Sequence, residues 1–196
     1  TRVHGQNHHG HIVCNPLYTA YHTTPSQDRL SVLDVLRNGQ PRTFRCNAEA
    51  RGALAQTGLS VATRDTLAPL PCEQAWDEAS LRQWLQEHLP HLGPQQRQWM
   101  LDATAVAAYH AQDAFPVVRL LVCDDAPQCN GVTAELALCW VHDGRHSKKL
   151  MPSVPYHRRL LDEYLERFWT FYRALLTYRQ QPTAAEHARL AAECDG

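Results

Sequence analysis

One apolar run, which ends in two acids and a proline, constrains the fold more than any other stretch of this chain. Residues 115–125 read FPVVRLLVCDD, and Pro127 follows. A continuous apolar run of this length is typical of a β-strand that is buried on both faces of a sheet. Such a strand holds its backbone rigidly. We therefore expect Asp124 to lie at the carboxyl end of the strand, where functional side chains collect in open α/β sheets.

The N-terminal part predicts a strand pair and a helix. Residues 11–23 are rich in Val, Ile, Tyr and Thr, with a break at Asn15–Pro16, and predict two adjacent antiparallel strands. Residues 24–38 predict a helix that begins at Thr24 as its N-cap and stops at Gly39.

The remaining elements are mostly helical. Residues 40–115 contain several prolines between helical patches at about 45–58, 77–89 and 94–112, which indicates a helical insertion. Residues 133–142 predict a short helical piece that leads into another apolar strand, and 155–179 predict a long amphipathic helix. The order of elements favours an α/β fold with a mixed sheet. The predicted division is 1–39 and 116–196 as two parts of one core, with 40–115 inserted between them.

Charge, cysteine content and the lack of an apolar spanning run limit the partners and the cellular location that we expect for this chain. The net charge is −1, so DNA binding would depend on a local basic strip and not on a global field. The chain has seven cysteines, without a CxxC pair, and no signal peptide or membrane-spanning run. We expect reduced thiols, a cytoplasmic location and no membrane partner. Because Thr1 is not a natural start, we also expect the chain to be part of a longer protein.

The acid at the strand end suggests metal chemistry. A rigidly held Asp124 is suited to ligate a hard cation such as Mg²⁺, and a second carboxylate from a neighbouring strand would complete a two-metal site for phosphoryl transfer. The alternative is an acid that only forms a solvated turn or caps a helix.

The string CWVHDGRH offers a second type of site. Cys139, His142 and His146 are zinc-ligand types, but a structural zinc site needs four ligands, usually in two spaced pairs. The alternative is a buried Cys139 and Trp140, with His142 satisfied by a hydrogen bond near the sheet end.

Two strings, VCDDAPQCN (122–130) and LCWVHDGRHSKKL (138–150), carry a family resemblance. Together they resemble the core of bacterial insertion-sequence transposases, specifically the insertion-sequence-66 group. The opening (1–23) and the tail (156–182) are similar to the segments around that core. The resemblance implies an RNase H-like mixed sheet with flanking helices, a D-D-E triad, and Mg²⁺ or Mn²⁺ as cofactor.

Residue by residue, the resemblance covers one catalytic acid. Asp124 matches the second catalytic and metal-binding aspartate, and Cys139, Trp140 and His142 match a supporting C-W-x-H string on the next strand. Nothing in this sequence matches the first aspartate or the glutamate. We therefore expect the chain alone to be inactive in DNA strand cleavage and transfer.

DNA, in the form of transposon ends, is the implied partner, and self-association is a further expectation. The densest basic run follows the C-W-x-H string and is the candidate for phosphate contact. Its cations are Arg145, Lys148, Lys149, Arg158 and Arg159. The alternative is a solvated helix face.

Three functional hypotheses follow from these patterns. The first is a segment of a transposase catalytic domain that acts in DNA transposition. The second is a non-catalytic truncated remnant that binds DNA or a partner chain. The third is a small zinc-binding protein.

Overall fold

The computed structural model describes residues 2–3, 5–67, 69–72 and 74–195. In this part of the chain there are six strands and eight α-helices. The strands are β1 (Arg2–Val3), β2 (Gln6–Asn7), β3 (His9–Cys14), β4 (Thr19–Thr24), β5 (Leu120–Cys123) and β6 (Glu135–Leu138). The helices are α1 (Arg29–Leu36), α2 (Ala48–Ala55), α3 (Val61–Asp65), α4 (Glu78–His88), α5 (Pro94–Ala111), α6 (Trp140–Lys148), α7 (Pro155–Gln180) and α8 (Ala184–Asp195). The predicted α/β class is confirmed.

The described strands pair two by two. β1 pairs with β2, β3 with β4 and β5 with β6, so these strands do not form the single mixed sheet that the sequence predicted. The antiparallel pair β3–β4 confirms the hairpin expected at 11–23. Its turn is stabilised by the Asn15 side chain, whose Oδ1 accepts hydrogen bonds from the backbone N–H groups of Leu17 and Tyr18 at 2.8 and 3.0 Å.

The chain forms two compact units. The first comprises residues 1–121 and 126–136, and the second comprises residues 122–125 and 137–196. The boundary therefore cuts both β5 and β6, and the carboxyl half of each of these strands belongs to the second unit.

The helices of residues 40–115 supply most of the core of the first unit. The predicted helical patches are confirmed as α2, α4 and α5. Large side chains from these helices and from α1 are almost fully buried together, among them Leu33, Leu54, Leu85, Met100 and Tyr109. The predicted domain boundaries at 39/40 and 115/116 stay a prediction.

The first helix begins later than expected. Thr24, the predicted N-cap, is the last residue of β4 and pairs with His9 across the hairpin. Asp28 caps α1 instead, because its Oδ1 accepts a hydrogen bond from the Ser31 N–H at 2.8 Å. The helix ends at Leu36 with Arg37 as its C-cap, so it stops before the predicted Gly39. Asn38 and Gly39 then form the turn, with φ angles of +49° and +81°.

The apolar run at 115–125 is only partly a strand, and the expected burial on both faces is wrong. Residues 115–119 follow the end of α5 as irregular chain, where the Val118 N–H donates to the Tyr109 hydroxyl at 2.9 Å. Only Leu120–Cys123 is extended, and Leu120 and Val122 are more than half exposed.

The order predicted for residues 133–142 is also wrong. The strand comes first, as β6, and the helix follows, as α6. The backbone pairing with β5 outweighs the helical propensity of the TAEL string.

The second unit is built on α7, which confirms the long helix predicted at 155–179. α6 and α8 pack on it. None of the helices in the described residues is both long and apolar enough to cross a bilayer.

Candidate nucleic-acid interface

β5 and β6 run parallel, so both strands end at the same edge. The Glu135 N–H donates to the Arg119 carbonyl at 2.8 Å, and the Cys139 N–H donates to the Cys123 carbonyl at 2.7 Å. Donor and acceptor both advance by four positions in the same chain direction, as only a parallel pair allows. The residues that follow Cys123 and Cys139 are therefore neighbours at one edge.

Asp124 lies directly after β5, as the sequence predicted, and is exposed. Asp125 has a φ of +64°, in the left-handed region that short polar residues tolerate better than most. The chain therefore turns at Asp125, and Asp124 is the acid that directly follows the strand.

The C-W-x-H string begins a helix instead of lying on a strand, which corrects the expectation drawn from the resemblance. The Cys139 carbonyl accepts hydrogen bonds from the His142 and Asp143 N–H groups at 3.0 and 3.2 Å. Cys139 is thus the N-cap of α6, and Trp140 and His142 lie in its first turns.

Trp140 attaches α6 to α7. Its ring stacks on Phe168 at 5.3 Å and on Phe171 at 5.4 Å between centroids. His142 is half-buried in the same helix, and its Nδ1 has no hydrogen-bond partner in the described structure. The alternative in which a hydrogen bond satisfies His142 therefore gains no support at Nδ1.

Gly144 allows this close approach of the two helices. A Cβ at this position would lie 2.5 Å from Cζ2 of Trp169 and 2.8 Å from Cε1 of Phe168. The glycine of the H-D-G string therefore serves packing, because only a residue without a side chain fits against the two rings.

The five predicted DNA-binding cations are exposed in the second unit. None of them forms an ion pair within the described residues. Lys148 lies over the Trp169 ring at 5.0 Å, and Arg159 lies over the Tyr156 ring at 5.9 Å. Arg158 donates to the Pro152 carbonyl at 3.3 Å. Their charges are therefore not neutralised by neighbouring acids.

The structure does not bring together a metal-binding cluster. In the described residues no group of three or more His, Cys, Asp or Glu side chains is arranged to hold a metal ion. Within the described residues, Asp124 is therefore not part of a complete magnesium site. Cys139, His142 and His146 do not form a three-ligand group either, so among the described residues the geometry gives the zinc hypothesis no support.

One polar pair was missed by the sequence reasoning. In the first unit, Nδ1 of His110 lies 2.5 Å from Oε1 of Glu49, and its Nε2 lies 2.9 Å from the Val132 carbonyl oxygen. The pair borders a cavity of about 400 Å³ that Arg119 and Thr133 also line. No local pattern could have found it, because 61 positions separate the partners.

Comparison with known proteins finds a similar protein. The chain is 28% identical over 177 residues to the uncharacterized protein y4jO of Sinorhizobium fredii (strain NBRC 101917 / NGR234). The match covers 84% of this chain and 50% of that protein, so the chain spans about half the length of this relative. No protein-family model matches the chain. No solved structure matches it either.

Proposed function

We propose that this chain is a segment of a bacterial insertion-sequence transposase with an RNase H-like catalytic domain, and that its second unit contacts DNA. One observation carries the proposal. Asp124 leaves β5 at the edge where α6 begins, and α6 bears exposed cations that have no ion-pair partner within the described residues. A strand-end acid can contribute to a metal site, and exposed cations can contact DNA phosphates, so both features support the proposal.

The cations of this surface come from two helices. Arg145 and Lys148 lie on α6, Lys149 is its C-cap, and Arg158 and Arg159 lie in the first turns of α7. Asp162, Glu163 and Glu166 follow along α7, so the basic character is confined to its start. We call the five cations the basic surface, and we infer that they bind phosphates without reading bases.

The family's Mg²⁺ or Mn²⁺ does not fit the residues described here. Three carboxylates would hold it, and among the described residues no group of three ligand-type side chains, with or without Asp124, is arranged to do so. We therefore derive no cleavage step for this chain. DNA strand cleavage and transfer are proposed for a longer protein that supplies the remaining acids, and a cytoplasmic location is proposed because all seven cysteines are free thiols.

The second candidate is a non-catalytic module that binds DNA or a partner chain. It is favoured by the same lack of a metal cluster among the described residues. Exposed apolar side chains on α7, among them Leu160, Tyr164 and Leu176, would suit a partner chain or self-association.

The salt dependence of DNA binding tests the basic surface. Affinity for a fluorescent 30-base-pair duplex should fall steeply with salt, and the logarithmic slope should lose about 0.9 for each phosphate contact removed. A variant with Arg145→Gln, Lys148→Gln and Lys149→Gln should therefore have a slope smaller by about 2 to 3. Fluorescence anisotropy between 50 and 200 mM salt measures it.

A charge-matched variant controls for non-specific attraction. Arg167→Gln, Arg173→Gln and Arg179→Gln remove the same charge from exposed positions farther along α7. This variant should keep the parent slope. If the slope decreased equally in both variants, DNA binding would depend on net charge alone, which would contradict a defined basic surface.

A longer chain that restores the missing acids tests the role of Asp124. There, Asp124→Asn should abolish strand cleavage by orders of magnitude, because metal stabilisation of the transition state contributes several kcal/mol. Asp125→Asn should retain measurable activity. An inactive Asp125→Asn beside an active Asp124→Asn would disprove the match of Asp124 to the family's acid.

A further inference from the structure

The β3–β4 hairpin places two histidines side by side. In its register His11 pairs directly with His22, and His9 pairs with Thr24. Directly opposite residues point to the same face, and their Cβ atoms lie about 4.5–5.5 Å apart. The half-buried positions of both strands include His11 and His22, so both imidazoles stand on the more protected face.

The Thr24 hydroxyl fixes the tautomer of His11. This hydroxyl is buried and donates its single proton to the Ser26 carbonyl at 2.5 Å. Towards His11 it can therefore only accept, and the ring Nε2 that lies 2.7 Å away must carry a proton. The Nδ1 atom of a neutral His11 is then left with the free lone pair.

A histidine held in this way resembles a metal ligand before the metal binds. Metal-bound histidines almost always donate their second ring N–H to an oxygen that fixes the tautomer and the ring orientation. His11 already has that partner in Thr24. His22 lies opposite it, and the His22 ring makes no hydrogen bond within the described residues.

We propose that His11 and His22 form a two-nitrogen site for a divalent transition-metal ion, with solvent in the remaining coordination positions. Imidazole nitrogens suit Zn²⁺, Ni²⁺ and Cu²⁺, whereas Mg²⁺ prefers oxygen ligands. The site is limited to two protein ligands, since no group of three potential ligands among the described residues is arranged to hold a metal. Such an ion would link β3 to β4 and stabilise the hairpin.

Metal titration of tag-free protein tests the site. Calorimetry with CoCl₂ and NiCl₂ should show one stoichiometric site, tighter for Ni²⁺ than for Co²⁺ as the general affinity order requires, and no heat with MgCl₂. His11→Gln and His22→Gln should each weaken this binding at least tenfold. The same ions should raise the melting temperature of the parent and not of either variant, because a ligand that binds only the folded state stabilises it.

Two further variants separate this site from other histidines. His9→Gln changes a half-buried histidine on the same face and should bind within about threefold of the parent. Thr24→Val removes the oxygen that fixes the His11 tautomer and should weaken binding by about 10- to 100-fold. Circular dichroism establishes that each variant is folded. Unchanged binding in both His11→Gln and His22→Gln, or an equal loss in His9→Gln, would overturn the assignment.

Discussion

At the scale of single residues, Gly144 is the described glycine with the least room for a side chain. Gly144→Ala should lower the free energy of unfolding by about 2 kcal/mol, since a Cβ 2.5 Å from the Trp169 ring forces the helices apart. Urea unfolding followed by circular dichroism measures the change.

Gly52 is the matched control for this substitution. It also lies within a helix, α2, but an added Cβ would meet no atom within 4 Å. Gly52→Ala should raise stability by about 0.4–1 kcal/mol, because alanine restricts the unfolded chain without strain. If both substitutions lowered the free energy of unfolding, the close contact at Gly144 would not explain the effect of Gly144→Ala.

Asp28 makes the stability of α1 depend on pH. Partial desolvation acts to raise the pKa of Asp28, but hydrogen bonds from Ser31 and Ser26 and the charge of Arg42 outweigh it and lower the pKa below 3.8. The stabilisation is therefore fully present above pH 3.8 and is lost as the pH falls through the folded-state pKa.

Asp28→Ala should cost about 1 kcal/mol at pH 7 through loss of the N-cap, and Asp28→Asn should cost much less. The difference between parent and Asp28→Ala should shrink as the carboxyl is protonated. Thermal unfolding between pH 2.5 and 7 measures it. A constant difference over that range would contradict a role for the ionised cap.

At the scale of elements, the contact between α6 and α7 depends on stacked rings. Trp140→Ala should cost about 3 kcal/mol, the lower end of the range for large aromatic deletions, since Trp140 is only half-buried. Hydrogen exchange should accelerate in α6 and α7 and stay unchanged in α5, which belongs to the first unit.

Tyr156→Ala provides the comparison on the same helix. Tyr156 lies in the first turns of α7 and is 56% exposed, so its removal should change stability by less than about 0.5 kcal/mol. Faster exchange in α5 of the Trp140→Ala protein would show that the two units do not unfold separately.

At the scale of the whole molecule, we predict that this protein has no nuclease activity by itself, because one strand-end acid, Asp124, does not hold a catalytic metal ion. Purified protein with Mg²⁺ or Mn²⁺ should leave supercoiled plasmid intact, because Mg²⁺ dehydrates reluctantly and one aspartate holds it weakly. Agarose gels over several hours are the measurement. Nicking that disappears in Asp124→Ala would contradict this prediction.

Local patterns in the sequence were sufficient for most elements. The hairpin was predicted from its Val, Ile, Tyr and Thr residues and the break at Asn15–Pro16, α5 from a helical patch at 94–112, and α7 from its amphipathic pattern. The start of α1 depended on a tertiary contact. Asp28 and Thr24 are both good N-caps, and only the pairing of Thr24 with His9 across the hairpin decides between them.

The sequence by itself determined the α/β class, the exit of Asp124 from an apolar strand, and the exposed basic run. These features depend on residues close together in the chain. Only the tertiary structure showed that the C-W-x-H string begins a helix. The Cys139 N–H donates to the Cys123 carbonyl, and no pattern of side chains in the sequence predicts this backbone contact. The pairing of His110 with Glu49 and of His11 with His22 was decided in the same way, since chain folding and strand register bring those partners together.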